Sequence, residues 1–213
     1  MTWLRFLLTS TIFAAATSAT VAQLPQTRIT SVFPAGGQRG TTVELTVGGG
    51  TDLDEVDAIL FSHSGITAIP KTDAAGNLVA NTFTVTVASD VAPGLYDVRV
   101  RGLFGISNPR MFRVDTLPEV AEVEPNNVVA QATPVTPGTI VNCRANGATD
   151  VDFFRVPVTT GQTLVVRTEA GQIDSPMQPT LQLFSVSGRR LAESRRVAPN
   201  GVASRRLSAR VSA

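Results

Sequence analysis

One cysteine, one histidine, one lysine, one tryptophan and one tyrosine are spread over 213 residues, and each scarcity removes a class of chemistry. With Cys143 alone, no internal disulfide exists, so an exported chain of this kind must hold its domains by packing. A thiol nucleophile needs a base, and the only histidine, His63, lies in the other half of the chain. Cys143 therefore reads as a buried or incidental thiol. Ser62-His63-Ser64 lacks a Gly-x-Ser-x-Gly elbow and an identifiable acid partner, so the usual hydrolase signature is missing and His63 reads as a loop or strand-end residue. Gly48-Gly49-Gly50 is not followed by the lysine and helix of a phosphate loop, and reads as a turn. The second half has no Trp or Tyr, which weighs against a glycosidase built on paired carboxylates beside aromatic sugar platforms. No segment carries helical periodicity long enough to compete with strands.

What is present begins with an export signal. Met1 to Arg5 is a short charged start, Phe6 to Ala19 an apolar run, and Thr20 and Ala22 supply small residues before a cut ahead of Gln23. Residues 1–22 are thus expected to be a signal peptide. The run is short for a membrane span and is broken by Ser and Thr, so no span is expected after cleavage and the mature chain belongs to the periplasm or cell surface. About 190 residues remain, enough for one large domain or two ordinary ones.

The near-zero net charge conceals an asymmetry. Gln23 to Gly188 holds ten basic and sixteen acidic residues, a balance of −6; Arg189 to Ala213 holds seven arginines and one glutamate, a balance of +6. A basic tail can contact nucleic acid or an anionic surface. This one has no aromatic residue to stack on bases and no helical apolar stripe, so nucleic acid is not expected as a partner, and residues 196–213 read as a solvated, disordered tail.

The first half alternates. Val43, Leu45 and Val47 are interleaved with Thr42, Glu44 and Thr46; Phe83, Val85 and Val87 with Thr82, Thr84 and Thr86; Tyr96, Val98 and Val100 with Asp97, Arg99 and Arg101. Each run places apolar side chains on one face of a strand. Turn residues separate them at Pro34-Ala35-Gly36-Gly37, Gly48-Gly49-Gly50, Ala75-Gly76-Asn77 and Pro93-Gly94. Short, evenly spaced strands of this sort point to an antiparallel sandwich.

Several blocks carry a resemblance. Ile29-Thr30-Ser31-Val32-Phe33-Pro34, with Gly36-Gly37, Gly40 and Val43 to Val47, resembles the start of an immunoglobulin-like domain of the IPT/TIG type. Ala92 to Val100 resembles its late hairpin strand, and Ser107-Asn108-Pro109 with Phe112-Arg113-Val114 its last strand. The likeness covers about residues 28–115 and implies a domain at 27–116 that acts as a spacer or binding module. Residues 117–121, with Pro118 and flanking acids, read as a linker.

In the second half, Glu122-Val123-Glu124-Pro125-Asn126-Asn127 is followed by Asp150-Val151-Asp152-Phe153-Phe154-Arg155-Val156, Thr160 to Leu164, Thr180 to Phe184 and Ser187 to Leu191. The order and spacing of these blocks resemble the bacterial pre-peptidase C-terminal domain, a small β-sandwich, over residues 119–195. The fold class expected is therefore all-β, two consecutive β-sandwiches, the second (122–195) incomplete. The likeness fails after Arg195, where an acidic turn and aromatic strands would follow in the family. A reading frame truncated or shifted near residues 195–202 is one expectation that this raises.

The acidic residues carry their own chemistry. Side chains two apart on a strand share a face, so Asp150 and Asp152 are expected side by side at the sandwich rim, with Phe154, Val156 and Val158 continuing that face as core. Glu122 and Glu124 share a side in the same way, and Asn126 and Asn127 add amide oxygens. Carboxylates packed together raise one another's pKa unless a cation intervenes, and hard oxygens without His or Cys suit Ca²⁺. In the related collagen-binding domains, a Glu-x-Glu-x-Asn-Asp segment and a later aspartate pair bind calcium. The resemblance thus implies a structural calcium site at Glu122, Glu124, Asn126, Asn127, Asp150 and Asp152, with Asn127 in place of an acid. The same residues also read as an acidic interdomain turn shaped by Pro125-Asn126-Asn127, and the sequence leaves both open.

The function expected is that of a non-enzymatic secreted or cell-surface binding, adhesion or spacer protein with an extracellular protein or polysaccharide as ligand. The alternative is an accessory region of a secreted peptidase whose catalytic domain lies outside this chain.

Overall fold

The long alternating runs of the first half form strands that share one buried face. A computed structural model describes residues 24–147, 149–197 and 204–210; the expected signal peptide lies outside them. The first half comprises β1 (Arg28–Phe33), β2 (Gly36–Gln38), β3 (Thr42–Thr51), β4 (Ala58–Phe61), β5 (Ile66–Thr72), β6 (Leu78–Val87), β7 (Gly94–Gly102), β8 (Gly105–Ile106) and β9 (Arg110–Asp115). One sheet has the order β1-β3-β6-β5. The other runs β2-β9-β7-β4, with β8 hairpinned onto β7. Leu45 lies opposite Phe83 and Val43 opposite Val85, so the alternating residues of β3 and β6 meet in phase. Leu45, Phe83, Val85, Val87, Val98, Val100, Phe112 and Val114 are essentially inaccessible, and the Phe61 and Phe112 rings meet edge to face at 5.2 Å. This is a two-sheet sandwich around one core.

Polar devices lock its ends. The Asn108 side chain accepts from the Ile29 amide at 2.9 Å and donates to the Ile29 carbonyl at 3.0 Å, so it serves β1 as a strand partner would. The Tyr96 hydroxyl donates to the Ala92 carbonyl at 2.7 Å, tying the entry of β7. At Gly36 a Cβ would come within 2.7 Å of the Arg113 carbonyl, so the close parallel pairing of β2 with β9 requires glycine there.

The second half comprises β10 (Glu119–Ala121), a 3-10 turn (Val129–Gln131), β11 (Thr133–Pro134), β12 (Ile140–Asn142), β13 (Phe154–Arg155), β14 (Thr163–Thr168), a second 3-10 turn (Ala170–Ile173), β15 (Gln182–Phe184), β16 (Arg190–Glu193), β17 (Arg195–Val197) and β18 (Ser204–Arg210). These make four small sheets: β10 with β12 and β11 with β13, both parallel, the hairpin β15–β16, and the order β14-β18-β17. The chain is therefore all-β, and among the described residues no helix is long and apolar enough to cross a membrane. Packing differs sharply between the halves. Only Leu164 and Leu207 are buried apolar residues among those described beyond residue 117, against fourteen before it.

Three expectations are corrected here. Residues 119–121 of the expected linker are β10; Pro118 has no N–H, but its carbonyl accepts from the Ile140 amide at 2.9 Å and starts the pairing. The expected disordered tail contributes β18, which pairs with β14 along the full length of β14. Val158, placed in the core by alternation, is exposed, while Phe154 and Val156 are half-buried. The strand there is only two residues long, too short to carry a period.

The halves touch through charged groups. The Arg113 guanidinium binds Asp115 at 2.8 Å and also pairs with Glu169. Arg110 donates to the Asp174 carbonyl at 2.6 Å, and the Arg144 guanidinium covers the Phe33 ring at 3.8 Å.

Candidate metal centre

The parallel pairing of β10 with β12 places residues 122–127 against the loop that follows Asn142. Glu122 N donates to the Asn142 carbonyl at 3.1 Å. Thr133 Oγ1 is hydrogen-bonded to both the amide and the carbonyl of Val123, which fixes the turn of the chain between the two glutamates. The Asn126 carbonyl accepts from Phe153 N at 2.9 Å, and this brings the 150–153 segment alongside.

Carboxylate oxygens of Glu122, Glu124 and Asp152 then lie within 4.8 Å of one another. Oxygens that share a calcium ion at about 2.3–2.6 Å each are at most about 5 Å apart, so this spacing fits a single ion. Asn126 is completely buried, and its side-chain amide reaches within 3.0 Å of Glu124 Oε2 and 3.2 Å of Asp152 Oδ1. With its NH₂ on that side it bridges the two carboxylates; with its oxygen there it joins them as a fourth acceptor facing one point. Oε2 of Glu122 is buried without a hydrogen-bond donor, a cost that a cation would remove.

Of the six residues expected at the site, four converge in this way. Asn127 and Asp150 sit beside it as a pair: the Asn127 amide lies 3.1 Å from Asp150 Oδ1 and 3.2 Å from the Val151 carbonyl, and Asp150 Oδ2 accepts from Asn146 N at 2.5 Å. Residues 150–152 are not in a strand, so Asp150 and Asp152 do not share a face by alternation.

Three neighbours were not legible as site residues. Arg144 N donates to Glu122 Oε1, Asn146 Nδ2 donates to Glu124 Oε1 at 2.7 Å, and Cys143 lies close by. All three follow β12, whose parallel partner gives no hairpin signal in the sequence. The one available clue is the Asn-Gly turn at Asn146-Gly147.

The electrostatics are those of crowded like charges. Burial, then the charges of Glu122, Asp150 and Glu124, push Asp152 up to about 6. Cys143 is exposed as a residue, yet desolvation of its sulfur, then Glu122 and Asp152, push the thiol up to about 12. It is a protonated, poorly nucleophilic thiol at neutral pH.

The other candidates serve the fold. His63 Nδ1 accepts from Gly65 N at 3.0 Å, and the ring packs edge to face on Tyr96. Ser62 Oγ accepts from Asp97 N at 2.9 Å. Both side chains shape the ends of their strands.

No family model matches this chain, and no curated protein matches it. Among solved structures it is similar to SGBP-B of the Bacteroides ovatus mixed-linkage glucan utilization locus, in complex with a mixed-linkage heptasaccharide. The identity is 16% and the TM-score 0.33, over 88% of this chain and 45% of that one. The chain thus spans less than half the length of that protein, and a likeness of this degree says nothing about ligand or activity.

Proposed function

We propose that this chain is a non-enzymatic, extracytoplasmic binding or spacer module, an IPT/TIG-type sandwich followed by a pre-peptidase C-terminal-like unit, in which Ca²⁺ secures the second half. The observation that carries this reading is the convergence of Glu122, Glu124 and Asp152 with the buried Asn126. The first half is stable through its own core. Among its described residues the second buries only Leu164 and Leu207 as apolar side chains, so a bound ion supplies the stabilisation that packing does not. The donor set is all oxygen, which suits a hard cation. Glu122, Glu124 and Asp152 would hold the ion as carboxylate ligands and Asn126 as an amide oxygen. Arg144 and Asn146 orient the two glutamates.

Calorimetric titration of the full chain with CaCl₂, alongside thermal melting with EGTA or with calcium, tests this. Saturable heat and a higher melting temperature of the second half are expected, and both should vanish in E122Q/D152N. No heat and no melting shift at millimolar calcium would overturn it.

A further inference from the structure

The reversal of charge after residue 188 gains a location once the tail is seen as a strand. β18 lies between β14 and β17. Its register sets Arg206 opposite Arg167 on one side and opposite Arg195 on the other. At the far end of the same pairing Arg210 is in register with Thr163. Directly opposed residues on an antiparallel pair share a face, with Cβ atoms about 5 Å apart, and like charges so placed weaken the pairing. β18 keeps its place because Leu207, 2% exposed, is buried from the opposite face, across from Val166. The strand is therefore held by one apolar anchor while its neighbouring arginine stays exposed. Arg167 is likewise more than half exposed, and its nearest carboxylate, Glu169 at 4.0 Å, is already engaged by Arg113.

We propose that this sheet face is a binding surface for an acidic polysaccharide, one that carries uronate or sulfate groups along an extended chain. Planar guanidinium forks match carboxylate and sulfate oxygens two at a time, and repeated anions along a linear polymer fit arginines held at strand spacing. Opposed arginines that destabilise the free sheet are neutralised in the complex. β14, β17 and β18 contain no aromatic residue, so bases have nothing to stack on. The surface shares no residue with the cation site.

The test is binding of the full chain, in EGTA and well below the melting temperature of the second half under that condition, to polygalacturonate and dextran sulfate, with uncharged dextran, duplex DNA and vesicles of anionic phospholipid as competing probes. The expected result is binding to the acidic polysaccharides that weakens as salt rises and is absent for dextran. R167Q/R206Q should lose about ten-fold or more in affinity, with unchanged circular dichroism. R28Q/R39Q, which removes equal charge from the first half, should bind as before. R167K/R206K keeps the charge without the fork and should fall between. Absence of binding to both acidic polymers, equal loss in the two Gln pairs, or tighter binding to DNA or vesicles would overturn the proposal.

Discussion

Asn126 and Asp152 meet inside the second half: the wholly buried amide of the first stands 3.2 Å from a carboxylate oxygen of the second. Neighbouring Glu122 and Glu124 complete the group, their carboxylate oxygens within 4.8 Å of one another and of Asp152. Such a group is unfavourable unless a proton or a cation is added.

The proton gives a pH prediction with a definite sign. Asp152 has its folded-state value raised from 3.8 to about 6. Stability from this group is fully present below its unfolded value and is lost as pH rises through the folded one. In EGTA, the melting temperature of the second half should therefore fall between about pH 4 and 6.5. Calcium competes for the ionised form, so its affinity should rise over the same interval. Scanning calorimetry across this range tests both, and D152N should flatten both trends. A melting temperature in EGTA that climbs steadily from pH 4 to 6.5 would contradict the assignment.

Asn108→Ala should destabilise the first half by about 1–3 kcal/mol. It removes the two hydrogen bonds to the Ile29 backbone, leaving the Ile29 N–H without this acceptor and the Ile29 carbonyl without this donor. Urea unfolding reads the loss, and hydrogen exchange should place it at the Ile29 amide before the rest of β1.

The first half was legible because its strands are long and one-sided. Val43-Leu45-Val47 and Phe83-Val85-Val87 alternate over enough residues to declare a face, and β3 and β6 pair with Leu45 against Phe83. The second half was less so. β11 and β13 have two residues each and β10 and β12 three, so no period exists to read, and their parallel pairings leave no hairpin signature. Glu122, Glu124 and Asp152 were legible as oxygen donors of similar kind. That Asp150 turns instead to Asn127 and Asn146 depends on a loop path which spacing does not encode. The tail misled for a related reason: within β18, Leu207 is the one large apolar residue among arginines, and its partner, β14, lies far back in the chain.

Leu207 is accordingly the residue whose loss should release the tail. Leu207→Ala is expected to cost about 2–4 kcal/mol. The effect should be confined to the second half, since β14, β17 and β18 share no strand with the first sandwich. Two-transition denaturation would show the second-half transition moving and the first staying; protection of the amides of Val165 and Arg167 should fall with it.

The contact between the halves makes a different kind of prediction. Arg113 is an inner strand residue of the first sandwich, and its guanidinium spans Asp115 of its own strand and Glu169 at the second 3-10 turn. Both side chains of the Arg113–Glu169 pair are mostly shielded, at 28% and 24% exposure, so salt screens it less than a surface pair. Glu169→Gln keeps the shape and removes the charge. It should change stability by only about 1 kcal/mol, because Asp115 still neutralises Arg113. The orientation of the halves should loosen more than the stability drops. Small-angle scattering should show a larger radius of gyration and a broader distance distribution for E169Q, while the melting of the first sandwich stays in place. An unchanged scattering profile would mean that Arg110 on Asp174 and Arg144 on Phe33 hold the halves together without it.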